Sequence, residues 1–246
     1  MKHKSTDKNS WVIFDADNTL WELEPIYDAA RDEFAAYLSD ALGNAPEEII
    51  AFQRQRDAEI FAFLGYSKER FPQSFLDTAA HFLQGKKDAE VMRKAKKIGA
   101  SVFEKDITPF EGVAEVLSEL AEEKHLGLIT GGDKAVQKKR LASFRYKDFF
   151  GDQFMIVHKK DARTFQKFCI KYDVDVRNSW MVGDSIRSDM LPADAIGLNT
   201  IYVTHDNWHE VERHNLKLPK RTFIANSITE VPDIILPKFE LSFALP

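Results

Sequence analysis

From residue 106 to residue 203, short apolar runs alternate with stretches of helical periodicity, and this order constrains the fold more than any other feature. The apolar runs are HLGLIT, QFMIV, SWMVGD and NTIYV. The stretch VAEVLSELAEE, which precedes the first of them, places Val113, Val116, Leu117 and Leu120 on one helical face. Strands that alternate with helices pair in parallel, through right-handed crossovers. The sequence therefore predicts a Rossmann-like α/β core built on a parallel sheet.

One further strand opens the chain, and the pattern that follows it is different. Residues 11–15, WVIFD, predict a buried strand, whereas residues 24–104 show helical spacing throughout and many phenylalanines. We predict a discontinuous α/β core formed by residues 1–20 and 106–246. Residues 21–105 are predicted to insert into it as an α-helical cap domain, whose two ends lie close together on the core.

Composition narrows the classes of function. The 246 residues are 44% hydrophobic and carry a net charge of −5, which is typical of a globular protein and gives no electrostatic reason to expect nucleic acid or a membrane as a partner. The single cysteine, Cys169, fits a reducing, cytoplasmic location, and its helical face predicts a buried core position. The first ten residues predict a mobile tail, and the histidines at 205, 209 and 214 predict a surface loop without metal-ligand spacing.

Polar side chains follow four of the predicted strands, at the point where each strand ends. They are Asp15 and Asp17 after the first strand, Thr130, Gly131 and Gly132 after the second, His158, Lys159 and Lys160 after the third, and Asp184 and Asp189 after the fourth. Ligands of parallel sheets bind beyond the carboxyl ends of the strands. We therefore expect these side chains to share one small volume.

Such a volume has an excess of negative charge. Two carboxylates a few ångströms apart repel by about 4 kcal/mol at an effective dielectric constant near 20. A hard divalent cation with oxygen ligands, Mg²⁺ for preference, relieves this repulsion. One lysine, a threonine hydroxyl and backbone N–H groups beside that ion suit the oxygens of a phosphoryl group, and glycine at 131 and 132 permits a close approach.

The segments DADNT, LITGG, HKKDARTF and GDSIRSD resemble, in order and spacing, the four motifs of the haloacid dehalogenase-like (HAD) hydrolase superfamily. The similarity covers residues 11–203. The first and fourth motifs are specific in combination, whereas the threonine and lysine motifs would be weak alone. The helical insertion directly after the first motif is similar to the cap domain of one subgroup of that superfamily.

The resemblance implies a role for each matching residue. Asp15 would be the nucleophile that forms an aspartyl-phosphate, and Asp17 the general acid and then the general base. Asp15, Asp184 and the backbone carbonyl of Asp17 would bind Mg²⁺, and Asp189 would hold the metal or its water shell. Thr130, Gly131 and Lys159 would bind the phosphoryl oxygens.

Two departures from the family pattern leave details open. The lysine motif usually continues with proline, but Lys160 follows Lys159 here. The spacing to Phe165 favours Lys159, with Lys160 as the alternative. Pro192 predicts that a helix begins there, which would leave Asp189 on a loop.

We expect a Mg²⁺-dependent phosphatase that hydrolyses a small phosphorylated metabolite. A dehalogenase is the first alternative, but it needs neither a metal nor a general acid, and Asp17, Asp184 and Asp189 argue against it. A phosphomutase on the same fold is the second alternative. The third is a catalytically idle HAD fold that serves as a binding module, in which a catalytic residue should be missing, and none is.

Overall fold

The computed structural model describes residues 9–204 and 216–236. Residues 1–8 of the predicted N-terminal tail, and the histidines at 205, 209 and 214, lie outside these ranges. Ser10 is described and buried, and its hydroxyl donates to the carbonyl oxygen of Asn178, so the prediction of a mobile tail was wrong for this residue. Within the described ranges, no helix combines the length and the apolar character that crossing a bilayer requires.

The described residues contain eight strands. They are β1 (Trp11–Phe14), β2 (Trp21–Glu22), β3 (Thr108–Pro109), β4 (His125–Gly131), β5 (Phe154–Val157), β6 (Trp180–Gly183), β7 (Asn199–Val203) and β8 (Thr222–Ala225). Six of them form one sheet in the order β5-β4-β1-β6-β7-β8, and every neighbouring pair is parallel. The predicted parallel α/β core is thus confirmed.

Nine α-helices lie within the described ranges. They are α1 (Glu24–Leu42), α2 (Pro46–Leu64), α3 (Arg70–Leu83), α4 (Ala89–Ser101), α5 (Val113–Ala121), α6 (Lys134–Ser143), α7 (Ala162–Tyr172), α8 (Leu191–Asp194) and α9 (Val231–Ile235). A π-helical turn, Ile186–Met190, precedes α8. Helices α4, α6 and α7 each begin after an aspartate whose side chain accepts hydrogen bonds from backbone N–H groups of the first turn.

Residues of β1 alternate between the two faces of the sheet and join two separate cores. Val12 and Phe14 pack with the apolar face of α5, as its helical spacing predicts. Trp11 and Ile13 pack on the other face, with residues of α7 that include Cys169. Burial raises the pKa of the Cys169 thiol to about 11, so this cysteine is an inert core residue.

Helices α1 to α4 form a third core of their own, between β2 and β3. Its centre contains the phenylalanine side chains at 34, 71 and 75, all buried, and each such ring contributes roughly 1.5–3 kcal/mol through burial. Strands β2 and β3 pair antiparallel, Trp21 with Pro109 and Glu22 with Thr108. The chain therefore leaves the sheet and returns to it through one short two-stranded ribbon.

Candidate active site

The sheet order places the polar strand ends side by side. Strand β1 lies between β4 and β6, and the backbone N–H of Asp15 donates to the carbonyl oxygen of Val182 over 2.9 Å. The ends of β4 and β6 carry Thr130 and, one residue after Gly183, Asp184. The three central strands thus end at one edge in side chains that can bind a ligand.

Three carboxylates meet at this edge. One oxygen from each of Asp15, Asp184 and Asp189 can be chosen so that all three lie within 4.8 Å of one another, and all three residues are buried. The hydroxyl of Thr19 donates to Asp184 over 3.4 Å. Sequence reasoning had expected this cluster, and the structure brings its three members together.

Asp189 lies on a helical turn rather than on a loop, so the predicted loop was wrong. The π-helical turn Ile186–Met190 runs directly into α8. Pro192 lies in the first turn of α8, where proline is tolerated, so it does not separate the two. The carboxylate of Asp189 accepts from the backbone N–H of Ser185 over 3.1 Å. A Cβ atom on Gly183 would stand 2.6 Å from this carboxylate, so glycine is needed there for Asp189 to approach the sheet edge.

The lysine at the site is Lys160, which corrects the prediction of Lys159. The ammonium group of Lys160 lies 2.7 Å from Oδ1 of Asp15 and 2.5 Å from Oδ1 of Asp189, and its side chain is 6% exposed. Lys159 is exposed, and its carbonyl oxygen accepts from the hydroxyl of Thr164. Asp161 caps α7, so the residue immediately before this cap faces the carboxylates.

Burial and charge shift the pKa values of this cluster. Burial raises the pKa of Asp15 well above its ordinary 3.8, against the opposing charge of Lys160 and with the help of Asp189 and Asp184. Burial likewise raises the pKa of Asp189 to about 6, again against Lys160 and with Asp184. Burial lowers the pKa of Lys160, but the carboxylates of Asp15 and Asp189 outweigh it and raise that pKa overall. The site thus has more negative charge than one ammonium group neutralises.

The carboxylate of Asp17 is fixed by three donors instead of joining the cluster. The indole N–H of Trp21 donates to Oδ1 over 2.8 Å. Gln137 and Arg140, both on α6, donate to Oδ2 over 2.6 and 3.0 Å. Asp17 therefore faces α6 and the helical insertion, two residues along the chain from Asp15.

Sequence reasoning missed these three partners of Asp17. The helix that contains Gln137 and Arg140 begins just after TGGD, and their i, i+3 spacing places both on one face of it. This spacing was the signal in the sequence that could have indicated the two residues. Trp21 itself is fully buried and packs on Phe144.

A threonine hydroxyl at the same edge lacks a partner. Oγ1 of Thr130 is buried and makes no hydrogen bond within the described residues. Gly131 follows it, and the aliphatic part of Lys160 passes within 3.7 Å of the point where a Cβ on Gly131 would stand. A buried polar atom without a partner is rare in native proteins and suits a bound oxygen.

The donor set fits a hard divalent cation. Carboxylate oxygens of Asp15, Asp184 and Asp189 are the ligand type that Mg²⁺ prefers, and their spacing allows them to share one ion. Burial is the main cause of the raised pKa values of Asp15 and Asp189, and the neighbouring carboxylates add to it; a bound cation would oppose both effects by favouring the carboxylate forms.

Comparison with known proteins agrees with this geometry. The family model described as haloacid dehalogenase-like hydrolase matches residues 10–197. The chain belongs to this family. The glyceraldehyde 3-phosphate phosphatase of Pyrococcus furiosus is 24% identical to it, over 91% of this chain and 90% of that protein. The glyceraldehyde 3-phosphate phosphatase of Pyrococcus abyssi is 25% identical, over 78% of this chain and 79% of that protein.

A solved structure extends the comparison to the fold. The HAD-like hydrolase of Xanthomonas campestris superposes with a TM-score of 0.74 at 25% identity, over 92% of this chain and 90% of its own. The predicted family resemblance, the α/β fold class and the prediction that this HAD protein is a hydrolytic enzyme are therefore confirmed.

Proposed function

We propose that this HAD hydrolase is a Mg²⁺-dependent phosphatase that acts on a small phosphorylated metabolite through an aspartyl-phosphate intermediate. The observation that carries the proposal is the buried group of Asp15, Asp184 and Asp189 around the ammonium of Lys160. The names of the two Pyrococcus relatives, both phosphatases of a phosphorylated three-carbon compound, support it.

In the first step, Asp15 attacks the phosphorus atom of the substrate. A bond forms between a carboxylate oxygen of Asp15 and phosphorus, the bond from phosphorus to the ester oxygen breaks, and that oxygen leaves with its electron pair. In this step the protonated form of Asp17 donates its proton to the leaving oxygen, and Trp21, Gln137 and Arg140 hold the side chain toward the helical insertion.

In the second step, water hydrolyses the acyl phosphate. Asp17, now a carboxylate, accepts a proton from the water molecule as its oxygen attacks phosphorus. The bond between phosphorus and Asp15 breaks, which releases inorganic phosphate and restores the carboxylate. The net reaction consumes one water molecule and yields an alcohol and phosphate.

Thr130 and Lys160 hold the phosphoryl oxygens in this mechanism. The unpaired hydroxyl of Thr130 donates to one of them and the ammonium of Lys160 to another. Lys160 has a second effect, because its charge opposes the burial that raises the pKa of Asp15 and so favours the nucleophilic carboxylate form.

Asp15, Asp184 and Asp189 would hold Mg²⁺, together with the backbone carbonyl of Asp17. When bound, the ion supplies positive charge that stabilises the phosphoryl oxygens in the transition state. A dehalogenase would use Asp15 as its nucleophile but needs no metal, so Asp184 and Asp189 have no such use there. They therefore favour the phosphatase over the dehalogenase alternative.

The helical insertion would serve as the cap. The hydroxyl groups of Tyr66, just after α2, and of Ser188, on the π-helical turn, lie 3.0 Å apart. Lys68 and Asp133 approach to 3.9 Å across the same cleft. Closure of the insertion over the sheet edge would exclude bulk water and select the alcohol part of the substrate.

The test is hydrolysis of p-nitrophenyl phosphate with and without Mg²⁺. We expect phosphate release that requires the metal and stops in excess chelator. A lack of turnover at any Mg²⁺ concentration would favour the idle binding module. Turnover that is unaffected by the chelator would contradict the metal site, and phosphate transfer to a second sugar hydroxyl in preference to water would indicate a phosphomutase.

Binding of Mg²⁺ is expected to weaken as the pH falls through 6. The metal needs the carboxylate form of Asp189, whose pKa in the metal-free protein is about 6. Between pH 7 and pH 5 the apparent affinity should fall about tenfold or more, as one or more protons compete with the ion. Titration calorimetry at the two pH values measures this, and equal affinities would contradict the acidic site.

The same pKa shift predicts how the ion affects stability. The folded protein binds more protons than the unfolded chain between about pH 4 and pH 6, because the pKa of Asp189 is raised from 3.8. The stabilising contribution of that protonated carboxyl is therefore lost as the pH rises through 6. Mg²⁺ should raise Tm more at pH 7 than at pH 5, and the exposed-site variant Asp148→Asn should show the same difference.

A further inference from the structure

The three donors that hold the carboxylate of Asp17 are divided unequally between its two oxygens. Oδ2 accepts from Nε2 of Gln137 over 2.6 Å and from Nη1 of Arg140 over 3.0 Å. Within the part of the chain that the structure describes, Oδ1 has one donor, the indole N–H of Trp21 at 2.8 Å. Each carboxylate oxygen has about two acceptor positions. The donors therefore fill both positions on Oδ2 and leave one position on Oδ1.

This division decides which oxygen can carry a proton. A proton on Oδ1 leaves all three donors with an acceptor, because a carboxyl group keeps acceptor capacity beside its O–H group. A proton on Oδ2 would take a position that Gln137 or Arg140 now fills, and one of these donors would lose its partner. Gln137 is 3% exposed and Arg140 is 6% exposed, so water does not replace the lost bond. The protonated form of Asp17 thus keeps its contacts when the proton is on Oδ1.

The two donors on Oδ2 are themselves fixed in place. Nε2 of Gln137 also donates to the carbonyl oxygen of Gly131 over 3.0 Å, and two neighbouring acceptors determine the orientation of its amide. A Cβ atom on Gly132, where φ is 134°, would stand 3.1 Å from this Nε2, so glycine at 132 leaves room for the amide. Arg140 also donates to the hydroxyl of Tyr27 on α1. Oδ2 is therefore held by side chains that have further contacts of their own.

We propose that Gln137 and Arg140 are positioning residues that confine the transferable proton of Asp17 to Oδ1. In the first step this proton moves from Oδ1 to the ester oxygen as the bond from phosphorus to that oxygen breaks, and Asp17 becomes a carboxylate. In the second step the same position on Oδ1 accepts a proton from the attacking water molecule. The side chain of Asp17 is 23% exposed, so substrate and water can reach it in turn. This inference rests on the phosphatase function proposed above and adds how its general acid is oriented.

The test compares two substrates whose leaving groups differ in their need for a proton. The leaving group of p-nitrophenyl phosphate is a stable anion, whereas the alkoxide that leaves benzyl phosphate needs a proton in the transition state. The ratio kcat/KM reports formation of the acyl phosphate, so the second step, which both substrates share, does not enter it. We expect Gln137→Met to lower kcat/KM about 10- to 100-fold for benzyl phosphate and less than about threefold for p-nitrophenyl phosphate, because a misplaced proton slows the first reaction selectively.

Further variants assign the effect to the donors on Oδ2. Arg140→Met should change the two kcat/KM values in the same unequal way, and Arg140→Lys should restore part of the loss, because lysine can still donate to Oδ2. Asp17→Asn, which cannot transfer the proton, sets the upper limit of the effect. Lys138→Met, at an exposed lysine of the same helix, is the matched control and should change neither value.

The pattern of losses distinguishes positioning from packing. Equal losses for the two substrates in Gln137→Met and Arg140→Met would indicate a purely structural role and would overturn the inference, as would wild-type values for both substrates. Circular dichroism verifies the fold, and the uncharged Gln137 carries the test by itself where Arg140→Met does not fold. Wild-type protein that hydrolyses neither substrate would instead contradict the phosphatase function itself.

Discussion

Replacing Asp15 with asparagine is expected to lower kcat for p-nitrophenyl phosphate by about 10⁴-fold or more. An amide cannot form the acyl phosphate, and the loss of a covalent nucleophile has an effect of this order in other hydrolases. Asparagine has nearly the shape of aspartate, so the site should keep its packing. Lys160 also keeps one of its two carboxylate partners, Asp189, which limits the cost of removing the other charge.

The measurement is steady-state phosphate release in saturating Mg²⁺, with circular dichroism to verify the fold. Asp148→Asn is the matched control, because Asp148 is an exposed aspartate on the same α/β core. Chemical trapping of phosphate on the protein adds a second readout: the wild type and the control should become labelled, and Asp15→Asn should not. Activity within tenfold of wild type in Asp15→Asn would contradict nucleophilic catalysis by this residue.

The sheet and its functional edge could be predicted because they depend on patterns of short range. Alternation of apolar runs and helices determines a parallel sheet, and parallel strands bring their carboxyl ends together whatever their order. Asp15, Asp184 and Thr130 therefore lie at one edge as expected. The order β5-β4-β1-β6 itself depends on crossovers whose direction the periodicity does not specify.

The parts of the site that could not be predicted depend on side-chain direction near an element boundary. Whether Lys159 or Lys160 faces the carboxylates is decided by the backbone between the end of β5 at Val157 and the cap of α7 at Asp161. A shift of one residue in such a loop exchanges the inward and outward positions. Lys160 is the residue immediately before Asp161, which caps α7. Counting back from this cap would have indicated Lys160, whereas the spacing from the lysines forward to Phe165 favoured Lys159.

The contacts of Asp17 were hidden for a different reason. Gln137 and Arg140 reach it from a helix about 120 residues away in sequence, and no local pattern links them to the first strand. Trp21 is four residues from Asp17, but its indole can donate to that carboxylate only because the chain turns back after β1, with Asn18 in a left-handed conformation at φ 57°. Asparagine tolerates that conformation better than most residues do.

The adjacent lysines provide the second large effect that we expect. Lys160→Met should lower kcat/KM for p-nitrophenyl phosphate by roughly 10²–10³-fold, the usual loss when one charged or hydrogen-bonding stabiliser of the transition state is removed. Methionine replaces the ammonium group with an apolar end of similar length. Asp15, Asp184 and Asp189 would then face one another without the charge that now lies between two of them, so their mutual repulsion should increase.

Lys159→Met is the internal control, because it makes the same chemical change one residue away on an exposed side chain. Its kcat/KM should stay within about twofold of wild type, as substitutions of exposed residues usually do. Binding of Mg²⁺ supplies a second difference: in Lys160→Met the ion should raise Tm more than in wild type, since it becomes the sole positive charge among three buried carboxylates. A larger loss in Lys159→Met than in Lys160→Met would mean that the loop after β5 has the other register in the working enzyme, and the assignment of the phosphoryl-binding lysine would return to Lys159.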